Sequence, residues 1–150
     1  MLIQDMTREM SVALLKRTHI GRLGCAQGSQ PYVTPMSFAY HQEFIYSFAT
    51  IGQKIEWMRA NPLVCVEVDE IVSRHEWQTV VIFGRYQELP DTPECRGPRL
   101  VAHDLLAKAP MWWEPGFVKA IHHGEERRLE PIYFRISIRK ISGHQGVPGG

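Results

Sequence analysis

Thr50-Ile51-Gly52-Gln53-Lys54 joins an aromatic run, FIYSFA, to a helical pattern that stops at Asn61-Pro62. Glycine lets backbone N–H groups approach an oxyanion, and a lysine in the first helical turn adds a fixed cation. Those are the two requirements of a phosphate site. A cation at that end opposes the helix dipole, so a helix tuned for stability alone would more often carry an acid there. The stretch is not a P-loop, because GxxxxGK[ST] is absent. Taken alone it favours a solvated lysine; the neighbouring segments shift the balance toward an anion. Upstream, Tyr32 to Phe38 reads as a strand with Pro35 inside it, which removes a ladder donor and leaves nearby backbone groups at an edge or free to meet a ligand. Downstream, Trp77-Gln78-Thr79-Val80 offers donors and an aromatic face on another strand.

The remaining reactive residue types form no second constellation. Cys25, Cys65 and Cys95 are too few and too far apart for a disulfide framework or a zinc knuckle, and the first two sit in apolar runs where thiols act as small hydrophobes. The seven histidines contain no HExxH, and the adjacent pair His122-His123 reads as a solvated loop. Arg127-Arg128 follows Glu125-Glu126 and reads as a charged, solvated turn. Arg22 and Arg85, each beside a strand glycine, reach a cofactor or line a wet barrel mouth. Trp112-Trp113-Glu114-Pro115-Gly116 reads as a packing plug or part of a dimer interface. No GxSxG elbow or spaced Ser, His and Asp supports covalent hydrolysis. A net charge of +1 gives no drive toward nucleic acid or anionic lipid, and no apolar run is long enough to span a membrane, so a cytoplasmic location is the default.

The elements that must position these residues follow from periodicity in a chain of 150 residues, the size of one ordinary domain over 1–150. Thr7 to Arg17 is an amphipathic helix capped by Asp5 or Thr7. Strands follow over His19 to Ala26, Tyr32 to Tyr40 and Phe44 to Ala49, separated by short turns. A helix over Gln53 to Asn61 interrupts them. Leu63 to Val68 and Trp77 to Leu89 are strands, the second carrying Gly84 at a bulge or close approach. Thr92-Pro93 signals a helix start, with the helix running to about Lys108 and broken locally at Gly97-Pro98. Pro131 to Ser142 alternates as a last strand, and Gly143 to Gly150 reads as a frayed tail. About six strands joined by tight turns predict a mainly β fold with flanking helices: an antiparallel barrel, closed to remove its edges.

The order GRLG, PYVTPMSFAY, FIYSFATIGQKIEWMRANPLVCVEVD, WQTVVIFGRYQEL and IYFRISIRKISG resembles the flavin-binding split barrels. More narrowly, it resembles the pyridoxamine 5′-phosphate oxidase-like group that includes nitroimidazole-resistance proteins, over about residues 5 to 145. The resemblance implies a six-stranded antiparallel split barrel of the FMN-binding type, forming a homodimer with a flavin at each interface site. It places Thr34, Pro35, Met36 and Ser37 against the isoalloxazine ring, Phe48, Ala49 and Thr50 beside the ribityl chain and phosphate, and Lys54 on the phosphate. Trp77, Gln78 and Thr79 reach a flavin, often the partner's, and Trp113 becomes a candidate lid over it. FMN is the implied cofactor, with FAD as the alternative, and the implied chemistry is electron transfer from a reduced nicotinamide to a small acceptor. Gln53 stands where the vitamin-synthesis oxidases carry an arginine. Their C-terminal arginine–histidine pattern is not evident after Phe134, and position 48 lacks the histidine frequent in the nitroimidazole-resistance type. True pyridoxamine phosphate oxidase activity is therefore not expected, and no side chain is assigned as catalytic. The alternatives are a haem-binding relative, needing a ligand such as His144, and a flavin-binding module without turnover.

Overall fold

The computed structural model describes residues 1–109, 119–128 and 130–149. Its strands are β1 (Leu2–Asp5), β2 (Ile20–Gln27), β3 (Gln30–Ser37), β4 (Ala39–His41), β5 (Phe44–Ala49), β6 (Leu63–Ser73), β7 (Glu76–Glu88), β8 (Lys119–His122), β9 (Glu125–Arg128) and β10 (Ile132–Val147). The helices are α1 (Arg8–Arg17), α2 (Gln53–Ala60) and α3 (Arg96–Ala107). Eight strands form one antiparallel sheet in the order β3-β2-β6-β7-β10-β5-β4, with β1 added along β10.

The sheet is mainly β with flanking helices, as expected, but it has eight strands rather than six and is not closed. The extra strands have physical causes. Phe38 is fully buried and its N–H bonds to the His19 carbonyl at 2.9 Å. That turn divides the expected single strand into β3, which pairs with β2, and β4, which pairs with β5. β1 is exposed along its whole length, so it shows no apolar alternation, and its place is set by pairing with the end of β10, Leu2 opposite Val147. Between β3 and β5 there is no ladder. The buried Ser47 hydroxyl donates to the Ser37 carbonyl at 2.6 Å and bridges the seam.

Gly143 to Val147 do not fray. They continue β10, paired on one side with β1 and on the other with β7. A Cβ at Gly143 would lie 2.4 Å from Ser11 Oγ and 3.0 Å from Met6 Cβ, so glycine there serves the close approach of α1 rather than disorder. α3 begins at Arg96, later than the Thr92-Pro93 signal, because Cys95 N–H turns back to the Thr92 carbonyl at 3.1 Å. Gly97 and Pro98 do not break it. They occupy its first turn, where a missing N–H costs no helical bond. His122 ends β8, and His123 and Gly124 form the turn to β9 with φ of 52° and 79°. The histidine pair expected in a loop thus straddles the end of β8 and a two-residue hairpin turn, and the charged Glu125–Arg128 run expected as a turn is the strand β9.

Two cores sandwich the middle of the sheet. Leu14 and Leu15 of α1, Ile55 and Met58 of α2, and Leu23, Val66, Ile82, Phe134 and Ile136 fill the inside. Tyr46 and Tyr133 point the other way, under Ala102 and Leu106 of α3. Hence β5 and β10 are buried on both faces where α3 crosses them.

Gly84 is the tightest point of this arrangement. A Cβ there would lie 2.4 Å from the Ser137 carbonyl oxygen and 2.6 Å from Ile136 Cγ2, and the register of β10 shifts immediately beyond, between Ile138 and Lys140. Gly84→Ala should therefore cost about 1–3 kcal/mol through overpacking, and thermal denaturation should register a melting point several degrees lower. Gly97→Ala, where an added Cβ meets nothing within 4 Å, should leave the melting point unchanged or slightly raised.

Candidate functional site

α2 is short, and three contacts hold it across one end of the sheet. Ile55 and Met58 are fully buried beneath it. Trp57 meets Tyr32 of β3 edge-on at 5.7 Å, and Asn61 Nδ2 donates to the Ala26 carbonyl of β2 at 3.2 Å. Gly52 stands at the helix N-cap with no side-chain cap bond, and a Cβ on it would meet only the Thr50 carbonyl, at 4.0 Å. The backbone at this corner faces open space.

Lys54 lies in the first turn of α2, half-buried. Burial pushes its pKa below that of an ordinary lysine, with the nearby Cys25 acting weakly in the opposite sense. Burial likewise pushes the Cys25 thiol up, Cys65 adds to this, and Lys54 opposes it. Among the described residues no carboxylate lies within ion-pair distance of Lys54. A flexible lysine could escape to water; this one is held partly out of solvent without a counter-ion, and an anion beside it would relieve that cost. A phosphate, the group implied by the sequence resemblance, matches this lysine in charge, and the uncapped N-terminus of α2 offers it backbone N–H donors.

The other predicted residues fall into three groups. Thr34, Pro35, Met36 and Ser37 lie on β3, whose only ladder partner among the described residues is β2. Met36 points inward and is buried, while Pro35 is exposed opposite Arg22. Phe48, Ala49 and Thr50 run off the end of β5 toward α2. Ala49 is buried, and the Phe48 ring lies 5.8 Å from Tyr133, on the α3 side of the sheet rather than the Lys54 side. β3 and the β5–α2 corner therefore flank the unpaired gap beyond the Ser37–Ser47 bond, which α2 covers with Lys54 in its first turn.

Trp77, Gln78 and Thr79 are elsewhere in the same chain. They start β7 opposite Ile71, Glu70 and Asp69, whereas the α2 end of β6 begins at Leu63 opposite Arg85. Eight residues of strand separate Trp77 from Arg85, about 26 Å at ordinary strand rise. Gln78 is clamped: Arg17 Nη2 donates to its Oε1 at 2.7 Å, and its Nε2 donates to Gln145 Oε1 at 3.1 Å. The Trp77 indole packs against Gly146, where a Cβ would be 2.6 Å from its Nε1. Trp113, with Trp112, lies outside the described residues. His144 is exposed beside β1, its Nε2 3.3 Å from Asp5 Oδ1. Among the described residues no three His, Cys, Asp or Glu side chains are grouped to hold a metal, and no helix is long and apolar enough to cross a membrane.

Three features were not singled out in the sequence. The outer face of β2, β3, β6 and β7 carries an apolar concavity of about 470 Å³ beside Val33, Leu63, Cys65 and Phe83. A second cleft, of about 500 Å³, opens between α3 and the start of β10. On the outer face Glu67 and Asp69 of β6 meet Arg22, whose Nη1 is 3.7 Å from Glu67 and 3.5 Å from Asp69. None of these has a linear motif, because each draws on separate strands. The i, i+2 spacing of Glu67 and Asp69 was the one local signal available.

Glu67 titrates near 7, raised from an ordinary 4.5 by burial first, then by its hydrogen bond to Asp69 and that neighbour's charge, with Arg22 opposing. The folded chain thus keeps a proton on Glu67 that the unfolded chain releases between about 4.5 and 7. Stability from this group is present at the acid end of that window and is lost as pH rises through it. Glu67→Gln should flatten that slope and raise the melting point at pH 8 relative to the parent, while changing little at pH 5. Melts at the two pH values give the comparison.

The comparisons with known proteins agree with this architecture. Residues 7–145 match the family model described as pyridoxamine 5′-phosphate oxidase. A curated protein of Rhizobium meliloti (strain 1021), described as uncharacterized, is 36% identical over 149 residues, covering 99% of both chains. The crystal structure of a FAD-binding protein from Mesorhizobium loti is 40% identical, with a TM-score of 0.80 over 97% of this chain and 99% of that one. A FAD-binding protein from Mycobacterium smegmatis shares the fold, with a TM-score of 0.72 over 97% and 100% of the two chains at 15% identity.

Proposed function

The chain belongs to the pyridoxamine 5′-phosphate oxidase family, and from that premise we propose that it is a flavin-binding redox protein of the cytoplasm whose cofactor phosphate is held by Lys54. The observation that carries this reading is the half-buried lysine at an open helix N-terminus with no carboxylate in reach among the described residues. FMN is the smallest cofactor that satisfies the lysine. The FAD-binding description of the Mesorhizobium loti protein keeps FAD in contention. A bound flavin would supply two-electron transfer between a reduced nicotinamide and a small acceptor.

The residues of this chain then have distinct tasks. Lys54 and the free N–H groups of α2 meet the phosphate charge. β3 offers a backbone edge along the opening, interrupted at Pro35, which has no N–H to give. Ser47 occupies the Ser37 carbonyl and fixes the width of the seam. Gln53 supplies a neutral amide where a second cation would stand, which favours modest affinity for a bare phosphate.

The separation of Trp77–Thr79 from Lys54 supports a two-chain site. If both groups meet one flavin, as the family pattern implies, they do so from different copies. The exposed sheet face with Val33, Leu63 and Phe83, at 67%, 55% and 50% exposure, is the surface we assign to the second copy.

Two measurements test the reading. Lys54→Met should weaken FMN by roughly ten- to a hundredfold, the worth of a charge-assisted hydrogen bond, while riboflavin affinity hardly changes. The apo variant should melt no lower than the parent, since a buried charge has been removed. Equal losses for both flavins would assign the lysine to the fold instead. Separately, Phe83→Asp should turn a sedimenting dimer into a monomer and abolish flavin uptake. A parent that sediments as a flavin-loaded monomer at micromolar concentration would refute the two-chain site.

A further inference from the structure

α3 starts with a charge arrangement that its own helix does not favour. No side chain caps its N-terminus and no acid stands in its first turn, yet Arg96 and Arg99 do. Both add to the positive end of the helix dipole. His103 follows four residues after Arg99, so the three share one face. That face lines the cleft of about 500 Å³, together with Asp91, Leu100, Pro131 and Tyr133.

The two arginines differ in freedom. Arg99 is pinned: its Nη1 donates to the Leu89 carbonyl at 2.9 Å, and its guanidinium lies 4.8 Å from the centre of the buried Tyr133 ring. Arg96 is exposed at the rim. Neither has a carboxylate within ion-pair distance among the described residues, and Asp91 has no cation within that distance either. His103 Nδ1 lies 3.5 Å from Asp104. With His103 neutral, two guanidiniums against one carboxylate leave the cleft a single net positive charge. A guanidinium already stacked on one ring offers its other face to a second flat group, and Leu100 and Pro131 supply apolar wall beside it. Asp91 can only accept a hydrogen bond, so it suits a hydroxyl or amino group and repels a second negative charge.

We propose that the α3 cleft is a binding site for a small aromatic carboxylate that carries a hydroxyl or amino group. The carboxylate meets the fork of Arg96, the ring lies along Arg99, Leu100 and Pro131, and the polar substituent turns toward Asp91. One net positive charge complements a monoanionic carboxylate, and Asp91 disfavours a phosphate dianion. The cleft is separate from the Lys54 corner. Tyr133 packs with Ala102 and Leu106 of α3, whereas Ile55 and Met58 of α2 belong to the core on the other side of the sheet. The site therefore does not depend on the flavin reading.

Calorimetric titration of the purified full chain with 4-hydroxybenzoate, 4-hydroxybenzyl alcohol and phenyl phosphate tests it. The parent should take the carboxylate at least about tenfold more tightly than either of the others, the scale of one charge-assisted contact. Arg96→Met should remove that margin over the alcohol, and Arg96→Lys should restore part of it. Asp91→Ala should strengthen phenyl phosphate relative to the carboxylate. Free FMN should not compete with 4-hydroxybenzoate. No binding of the carboxylate at millimolar concentration, equal binding of the alcohol, a parent that prefers phenyl phosphate, or an unchanged affinity in Arg96→Met would each overturn the proposal. Competition by FMN would merge the cleft with the flavin site and overturn it as a separate one. Because Arg96 is exposed and without a side-chain partner among the described residues, its variants should keep the parent's melting point, which checks that the fold is unchanged.

Discussion

The seam between β3 and β5 is held by one buried hydroxyl, and the layout of the candidate site depends on it. Ser47 sits where an ordinary sheet would have a backbone ladder, and its hydrogen bond to the Ser37 carbonyl satisfies a group that would otherwise be buried unpaired. Phe38, turned fully into the core next to it, passes the strand from one neighbour to another. Past that point the two strands part company. α2 covers the gap, with Ile55 and Met58 inward and Lys54 at its mouth. A continuous ladder between β3 and β5 would have closed the sheet into a barrel. A serine is small enough to fit there, polar enough to bridge, and unable to propagate pairing along the strand.

β10 balances this weak seam. It pairs with β7 along most of its length, with β5 from Ile132 to Ser137 and with β1 from His144 to Val147. Tyr133 and Phe134 point to opposite cores, each buried, so the strand cannot slip by one residue without exchanging them. Gly84 and the register shift after Ile138 let β7 and β10 approach closely and bend. A rigid spine with a single hydrogen-bonded seam places the adaptable part of the sheet at the candidate site, while the rest stays fixed.

Much of this was legible in sequence where one face of an element is buried. The alternation of Val64, Val66 and Val68, and of Phe134 and Ile136, gave the strands. Thr7 gave a helix start, and its Oγ1 does accept from Met10 N–H. Periodicity failed where burial does not alternate. β1 is exposed throughout, and the end of β10 is polar yet buried at Gly143, Gln145 and Gly146. Thr92-Pro93 carried a correct local signal for a turn that tertiary packing ended before the helix began. Lys54 stood out in the sequence because a cation at a helix start opposes the helix dipole, and the structure places it half-buried in the first turn of α2. The Arg96–Arg99–His103 face did not stand out, since three basic residues on a helix look the same in sequence whether they meet solvent or a cleft.

Lys54 and Glu67 place the same physical problem on two faces of the sheet. Each is half-buried and each has its charged form disfavoured by burial, so its pKa moves toward neutrality from opposite ends. Glu67 has a local remedy in the proton it shares with Asp69 and in Arg22 nearby. Among the described residues Lys54 has only a thiol nearby, Cys25, whose own burial keeps it protonated. A side chain that solves its charge problem within the fold gives a reason for a pH-dependent stability and nothing more. One that has no internal solution leaves a free-energy gain for whatever anion arrives, and α2 holds that gain at a fixed position because its buried side chains cannot move without opening the core. The difference between the two residues is therefore that the fold answers one charge itself and, among the described residues, leaves the other to the phosphate contact proposed above.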